Sequence, residues 1–135
     1  MANDHPPHHD DSEGIPDNDE LVRRVIRVWV VPDEKNPTGY RLSTQAFEDH
    51  RQTGTPCSVA VRRFARSLDE SMNLFPEHSF ALVGAGFVRQ HEQGICFWED
   101  VNEPGHAYLH GPKSKTIKNA LATQAAYWGG PHRWG

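Results

Sequence analysis

The chain has 135 residues, of which 36% are apolar, and a formal charge of −4; its mean hydropathy is −0.72. This is one domain's worth of sequence. No apolar run approaches the ~18–20 residues of a membrane span, and the first residues lack the basic start and apolar middle of a signal peptide.

The charge is divided. Residues 1–20 carry seven acids and no Lys or Arg, leaving 14 basic and 11 acidic groups in the other 115 residues. From Pro104 onward there are four bases (Lys113, Lys115, Lys118, Arg133) and no acid. This small excess does not support nucleic acid as a partner, since that binding rests on several clustered phosphate contacts. It suits an acidic ligand or partner at the C-terminal end. Two cysteines, Cys57 and Cys96, without any C-x-x-C, exclude a zinc ribbon and a disulfide-dense scaffold. Two thiols suit a reducing compartment, so the expected location is cytoplasmic; whether they pair is left open.

Residues 1–20, with three prolines and almost no large apolar group, read as a disordered acidic tail. Its cluster His5, His8, His9 and Asp10 reads as a loose, unstructured run, and no structural metal is expected. Leu21–Val31 is rich in β-branched residues and alternates, with Ile26, Val28 and Val30 on the buried face and Arg27 and Trp29 outward. The stretch 32–39 is turn chemistry. Tyr40–Leu42 is a short strand, and Ser43 caps a helical turn. Ser58–Met72 spaces Val61, Phe64, Ala65, Leu68 and Met72 as an amphipathic helix, although Val59 and Val61 would also suit a strand. Ser79–Arg89 and Ile95–Val101 read as a hairpin, with Gly84-Ala85-Gly86 as a twist or bulge within it. His106–His110 is a third strand, and Ser114 caps a last helix that ends at Gly129-Gly130-Pro131.

The order predicts an α+β fold: an antiparallel sheet of about four to five strands with two main helices packed on one face. Residues 21–130 form the single domain, and 131–135 an aromatic and basic tail.

The sharpest local pattern is Gly105–Lys118. On a strand, His106, Tyr108 and His110 share one face while Ala107 and Leu109 point to the core. Imidazole is the side chain suited to acid–base work near pH 7. The helix start that follows, with Lys113, Ser114 and Lys115, favours an anion. His106 and His110 would stand about 13 Å apart on a strand, too far to share a metal. G-P-K-S-K lacks the spacing of a phosphate-binding loop of the G-x-x-x-x-G-K-[ST] type. Cys57 and Cys96 have no nucleophile context. Arg27, Ser43 and a later acid (Glu92 or Glu99) follow, at motif level, the layout that an ADP-ribosyltransferase-like site resembles. Trp134 and Arg133, beyond the Gly-Gly-Pro break, are candidates for partner binding.

Two stretches resemble a pattern in small, uncharacterised bacterial proteins: S-[ST]-x-A-F, here Ser43–Phe47, and P-x-H-A-x-[LV]-x-G, here Pro104–Gly111, followed by a Lys-containing helix. The resemblance covers about a third of the chain and implies a bacterial origin and a shared fold, with no activity attached. The group's His-Pro pair falls where this chain has Ile26-Arg27, which separates the chain from any role of that histidine.

Two functions are expected from these residues. One is a soluble binding or accessory protein that meets a protein partner or acidic ligand through its basic C-terminal end. The other is a metal-independent, cofactor-free enzyme on a phosphate-containing substrate, such as RNA or NAD. There His106, Tyr108 and His110 would be catalytic, with Lys113, Ser114, Lys115, Arg27 and Ser43 holding the anion.

Overall fold

The computed structural model describes residue 11 and residues 14–36, 39–50, 52–98 and 100–128, with the backbone alone at 127 and 128. The fold is α+β. Five antiparallel strands, β1 (Glu20–Val25), β4 (Cys57–Val61), β5 (Ser79–Gly84), β6 (Gly94–Phe97) and β7 (His106–His110), are extended by a short β8 (Ala126–Trp128), in the order β6-β7-β4-β1-β5-β8. A separate two-stranded ribbon joins β2 (Val30–Pro32) to β3 (Tyr40–Leu42). Three helices follow: α1 (Leu68–Leu74), α2 (Ala85–Gln90) and α3 (Lys115–Gln124). Among the described residues no helix is long and apolar enough to cross a membrane.

Strand alternation decides the two layers. Leu21, Val25, Val59, Val61, Ala81, Val83, Ala107, Leu109 and Ile95 build the main core with Ile117 and Leu121 of α3 and with Ala46 and Phe47 of a 3-10 turn at Thr44–Phe47. On the opposite face, Val22 and Phe80 bury Leu68 of α1, with Met72 and Phe75 alongside. α3 joins the main core cluster, and α1 the smaller cluster of Val22, Leu68 and Phe80. Each begins at a serine cap: Ser67 accepts from the Glu70 amide at 3.1 Å and Ser114 from the Ile117 amide at 3.2 Å.

Four elements differ from their sequence reading. The last helix, expected to run to Gly129-Gly130-Pro131, ends at Gln124, because Ala126–Trp128 pairs with β5 as a strand. The first strand stops at Val25, opposite Ser79; a 3-10 turn then occupies Arg27–Trp29, and Val28 is 72% exposed rather than buried. β-branched content fits a strand, but among the described residues no neighbouring strand continues the ladder past Val25. Residues 57–61 form a strand instead of the first turns of a helix. Val59 and Val61 sit between β1 and β7 with both edges paired, and sheet pairing there outweighs the 3.6-residue periodicity. Gly84-Ala85-Gly86 is a strand-to-helix junction, not a bulge. The Ala85 and Gly86 amides donate to the carbonyls of Asp19 and Asp17, each at 2.9 Å. A Cβ on Gly86 would lie 3.0 Å from Asp17 Cβ.

The described part of the acidic N-terminal segment packs on the domain. Ile15 is buried. Asp11 and Asp17 meet Arg89 at 2.8 and 2.7 Å, Asp19 meets Arg63 at 2.9 Å, and Glu20 meets Arg62 at 2.6 Å. The two carboxylates raise the Arg89 guanidinium above its ordinary pKa, Asp11 by hydrogen bonding foremost. The His5–Asp10 cluster lies outside the described residues.

Candidate functional site

β7 does bring His106, Tyr108 and His110 to one side, with Ala107 and Leu109 in the main core. The expectation that this side is a solvent face needs correction. β7 is an inner strand, paired to β4 and β6, and His106, Tyr108 and His110 are only 7%, 7% and 6% exposed. The His106 ring meets Tyr108 edge-on at 4.7 Å, and its Nδ1 lies 2.7 Å from the Trp98 carbonyl. One edge of the imidazole is thus committed to the 98–105 loop.

The expected anion holders are dispersed. Lys113 turns inward: its side chain is 7% exposed and its Nζ donates to the carbonyls of Leu109 and Gly111 at 2.9 and 3.2 Å while facing Asp49 Oδ1 at 3.1 Å. That ammonium ties the end of β7 to the 48–56 loop. Ser114 is the α3 cap, and Lys115 is exposed at the first helical position. Ser43 caps the Thr44–Phe47 turn through the Gln45 amide. Arg27 borders a separate recess with Pro76, Glu77 and His78. Glu92 is exposed, at φ 66° in a tight turn. Glu99, Arg133 and Trp134 lie outside the described residues.

A different set of residues converges. Where the chain leaves β1, the Trp29 ring, the 3-10 turn, the 48–56 loop and the first residues of β4 enclose a recess of about 490 Å³. This lies within the size range of small-ligand sites. Arg23 of β1 reaches it from the core side of the sheet. Its Nε donates to Ala46 O at 2.9 Å, its Nη1 donates to Ser58 O at 2.8 Å, and its guanidinium carbon stands 5.1 Å from the Trp29 ring centroid. Those bonds use two of five N–H groups, and among the described residues Arg23 meets no carboxylate. The acids bordering the recess are otherwise engaged: Glu48 pairs with Lys118 at 3.0 Å, and Asp49 faces Lys113 while accepting from the Cys57 amide at 2.9 Å.

The loop supplies the polar rim. The Thr53 amide donates to His50 Nδ1 at 3.3 Å, which leaves the ring proton on Nε2. The Thr53 hydroxyl lies 3.1 Å from the same nitrogen and 2.7 Å from the Thr55 hydroxyl. The His50 amide closes the loop onto Thr55 O at 2.8 Å. The recess therefore offers a flat aromatic wall, a guanidinium that among the described residues forms no ion pair, an imidazole donor and two hydroxyls.

Cys57 lies at the base of the recess. Burial pushes its thiol above the ordinary pKa, and the nearby charges of Arg23 and Lys113 only partly oppose this. The thiol is thus kept protonated and unreactive. Cys96 is only half-buried. Titration of the native protein with a thiol-reactive chromogenic disulfide is expected to modify Cys96 quickly and Cys57 only after unfolding in guanidinium. Equal rates for both thiols would contradict the closed base.

Sequence reading missed Arg23, His50, Thr53 and Thr55 because they converge from a strand and a loop of no regular pattern. The available signal was Arg23 itself, an arginine on the core face of a buried strand. No family model matches the chain, and no curated protein or solved structure matches it.

Proposed function

We propose that the chain is a binding protein for a small organic anion with a planar apolar part, taken up in the recess between Trp29, Arg23 and the 48–56 loop. The observation that carries this reading is Arg23. A part-buried guanidinium that meets no carboxylate among the described residues is costly, and an anion at its remaining N–H groups would restore the balance with charge-assisted hydrogen bonds. Trp29 would take the planar part, and His50, Thr53 and Thr55 the remaining polar atoms. The acidic ligand expected of a binding protein is kept, but its site moves from the C-terminal lysines to the start of the domain. The acid–base alternative at His106 has weaker support, since among the described residues no Lys or Arg lines the recess beside that ring.

Thermal-shift measurements with benzoate and adenosine monophosphate, against neutral benzamide and adenosine, test the proposal. At least one anion should raise the melting temperature while its neutral counterpart does not. Arg23→Met should weaken that binding by about 10- to 100-fold, the worth of a charged hydrogen bond, and Trp29→Leu should weaken it as well. No shift with either anion, equal shifts from the neutral pair, or unchanged binding in both variants would remove the reading.

A further inference from the structure

A second recess, of about 420 Å³, opens at the other end of the β4–β7 pair. Its walls are Phe64, Phe97 and Trp98, and Asp100 and Glu103 border it beside His106. The local backbone explains the arrangement. After β4 the Phe64 amide donates to Val61 O at 3.0 Å, forming a turn that leaves Phe64 46% exposed. Across from it, residues 100–106 close tightly: the Glu103 amide donates to Asp100 O at 3.1 Å, and the His106 amide to Glu103 O at 3.3 Å. Gly105, at φ 75°, lets this loop approach the Phe64 turn; a Cβ there would lie 2.9 Å from Val61 O and 3.1 Å from Phe64 Cβ.

The rings of Phe64 and Phe97 stand 5.8 Å apart with their planes tilted by 58°, so the walls present aromatic surface in more than one direction. Asp100 accepts from the Asn102 amide at 2.8 Å, which fixes its carboxylate on the loop. Among the described residues neither Asp100 nor Glu103 meets a Lys, Arg or His. Aromatic quadrupoles and negative carboxylates act with the same sign, since both favour positive charge. Phe64 already takes part in such a contact, with the Arg63 guanidinium 4.0 Å from its ring centroid.

We propose that this recess is a binding site for a small organic cation of the alkylammonium class. The aromatic walls cover the alkyl groups, and Asp100 and Glu103 supply the charge. The site is independent of the anion recess, with which it shares no residue.

Calorimetric titration with choline and tetramethylammonium, against 3,3-dimethyl-1-butanol as choline's uncharged isostere, tests it on the full chain. Choline should bind, and the isostere should bind about tenfold more weakly or not at all, the usual range of a partly desolvated cation–π contact. Trp98→Leu and the double variant Asp100→Asn with Glu103→Gln should each weaken choline about five- to tenfold, whereas Arg23→Met should leave it unchanged. The acid variants are near-isosteric changes on a loop, so the fold should be kept. Absence of choline binding up to about 10 mM, equal affinity for the isostere, or full affinity in the acid double variant would overturn the proposal.

Discussion

Phe47→Ala is expected to lower the stability of the protein by about 3–5 kcal/mol, a large share of the ~5–15 kcal/mol typical of a domain. Phe47 is fully buried, at 0% exposure, and it closes the 3-10 turn that packs beneath α3. The loss has two parts: the transfer energy of the ring and the cavity it leaves. The cavity cannot collapse easily, because Phe47 shares its buried cluster with Leu121 of a helix and with Val25 and Leu109 of paired strands, which are held in place by their own hydrogen bonds. The turn also carries the Ala46 carbonyl that holds Arg23 Nε, so the variant should bind the anion less tightly even where it remains folded. Urea unfolding followed by circular dichroism would give the number. A cost below about 1 kcal/mol would mean that the turn is a surface appendage and not part of the core.

The start of α3 was legible because its signals are local: Ser114 at the cap position, then Ile117 and Leu121 at helical spacing. The alternation of His106–His110 was legible for the same reason. The end of α3 was not, since Ala125 and Trp128 continue the stripe while pairing to β5 makes Ala126–Trp128 a strand. What sequence could not supply was the neighbour on each side of a strand. Val61 fits a helix stripe, and together with Val59 it fits a strand; pairing of β4 to β1 and β7 decides between them. The same neighbours bury His106 and His110, which would be exposed on an edge strand. Ile26 and Val28 fail in the opposite sense: their pattern asks for burial, and the sheet ends one residue before they begin.

The candidate sites show a similar limit. A lysine after a strand and before a helix cap reads as an anion holder, yet Lys113 is drawn to two backbone carbonyls and to Asp49. That choice depends on where the 48–56 loop passes, a long-range fact. Arg23 is the converse case, hidden within an apolar strand but brought to the recess where the chain turns away at Ile26. Ser43 was read correctly in its local role, as a cap, and its local role is the one it fills.

Gly111→Ala should be nearly as damaging as the loss of the buried ring, for a reason of backbone geometry. Gly111 follows β7 at φ 150°, and a Cβ there would run into the Glu92 carbonyl and stand 2.9 Å from Gln93 Nε2. Neither neighbour can yield cheaply. Glu92 is itself held at φ 66°, and the buried Gln93 amide donates to Pro112 O at 2.7 Å and His91 O at 3.1 Å. The substitution therefore adds a backbone collision to the ~1–3 kcal/mol of an unfavourable dihedral, and about 3 kcal/mol or more is expected in total. Gly54→Ala provides the matched control. Gly54 also has a positive φ, 71°, but a Cβ there meets nothing within 4 Å. Only the conformational cost of about 1–2 kcal/mol should appear. Thermal unfolding of the two variants side by side separates the terms. If both lost the same stability, the contact between Gly111 and the Glu92–Gln93 turn would be irrelevant, and the β6–β7 register would have to be fixed elsewhere.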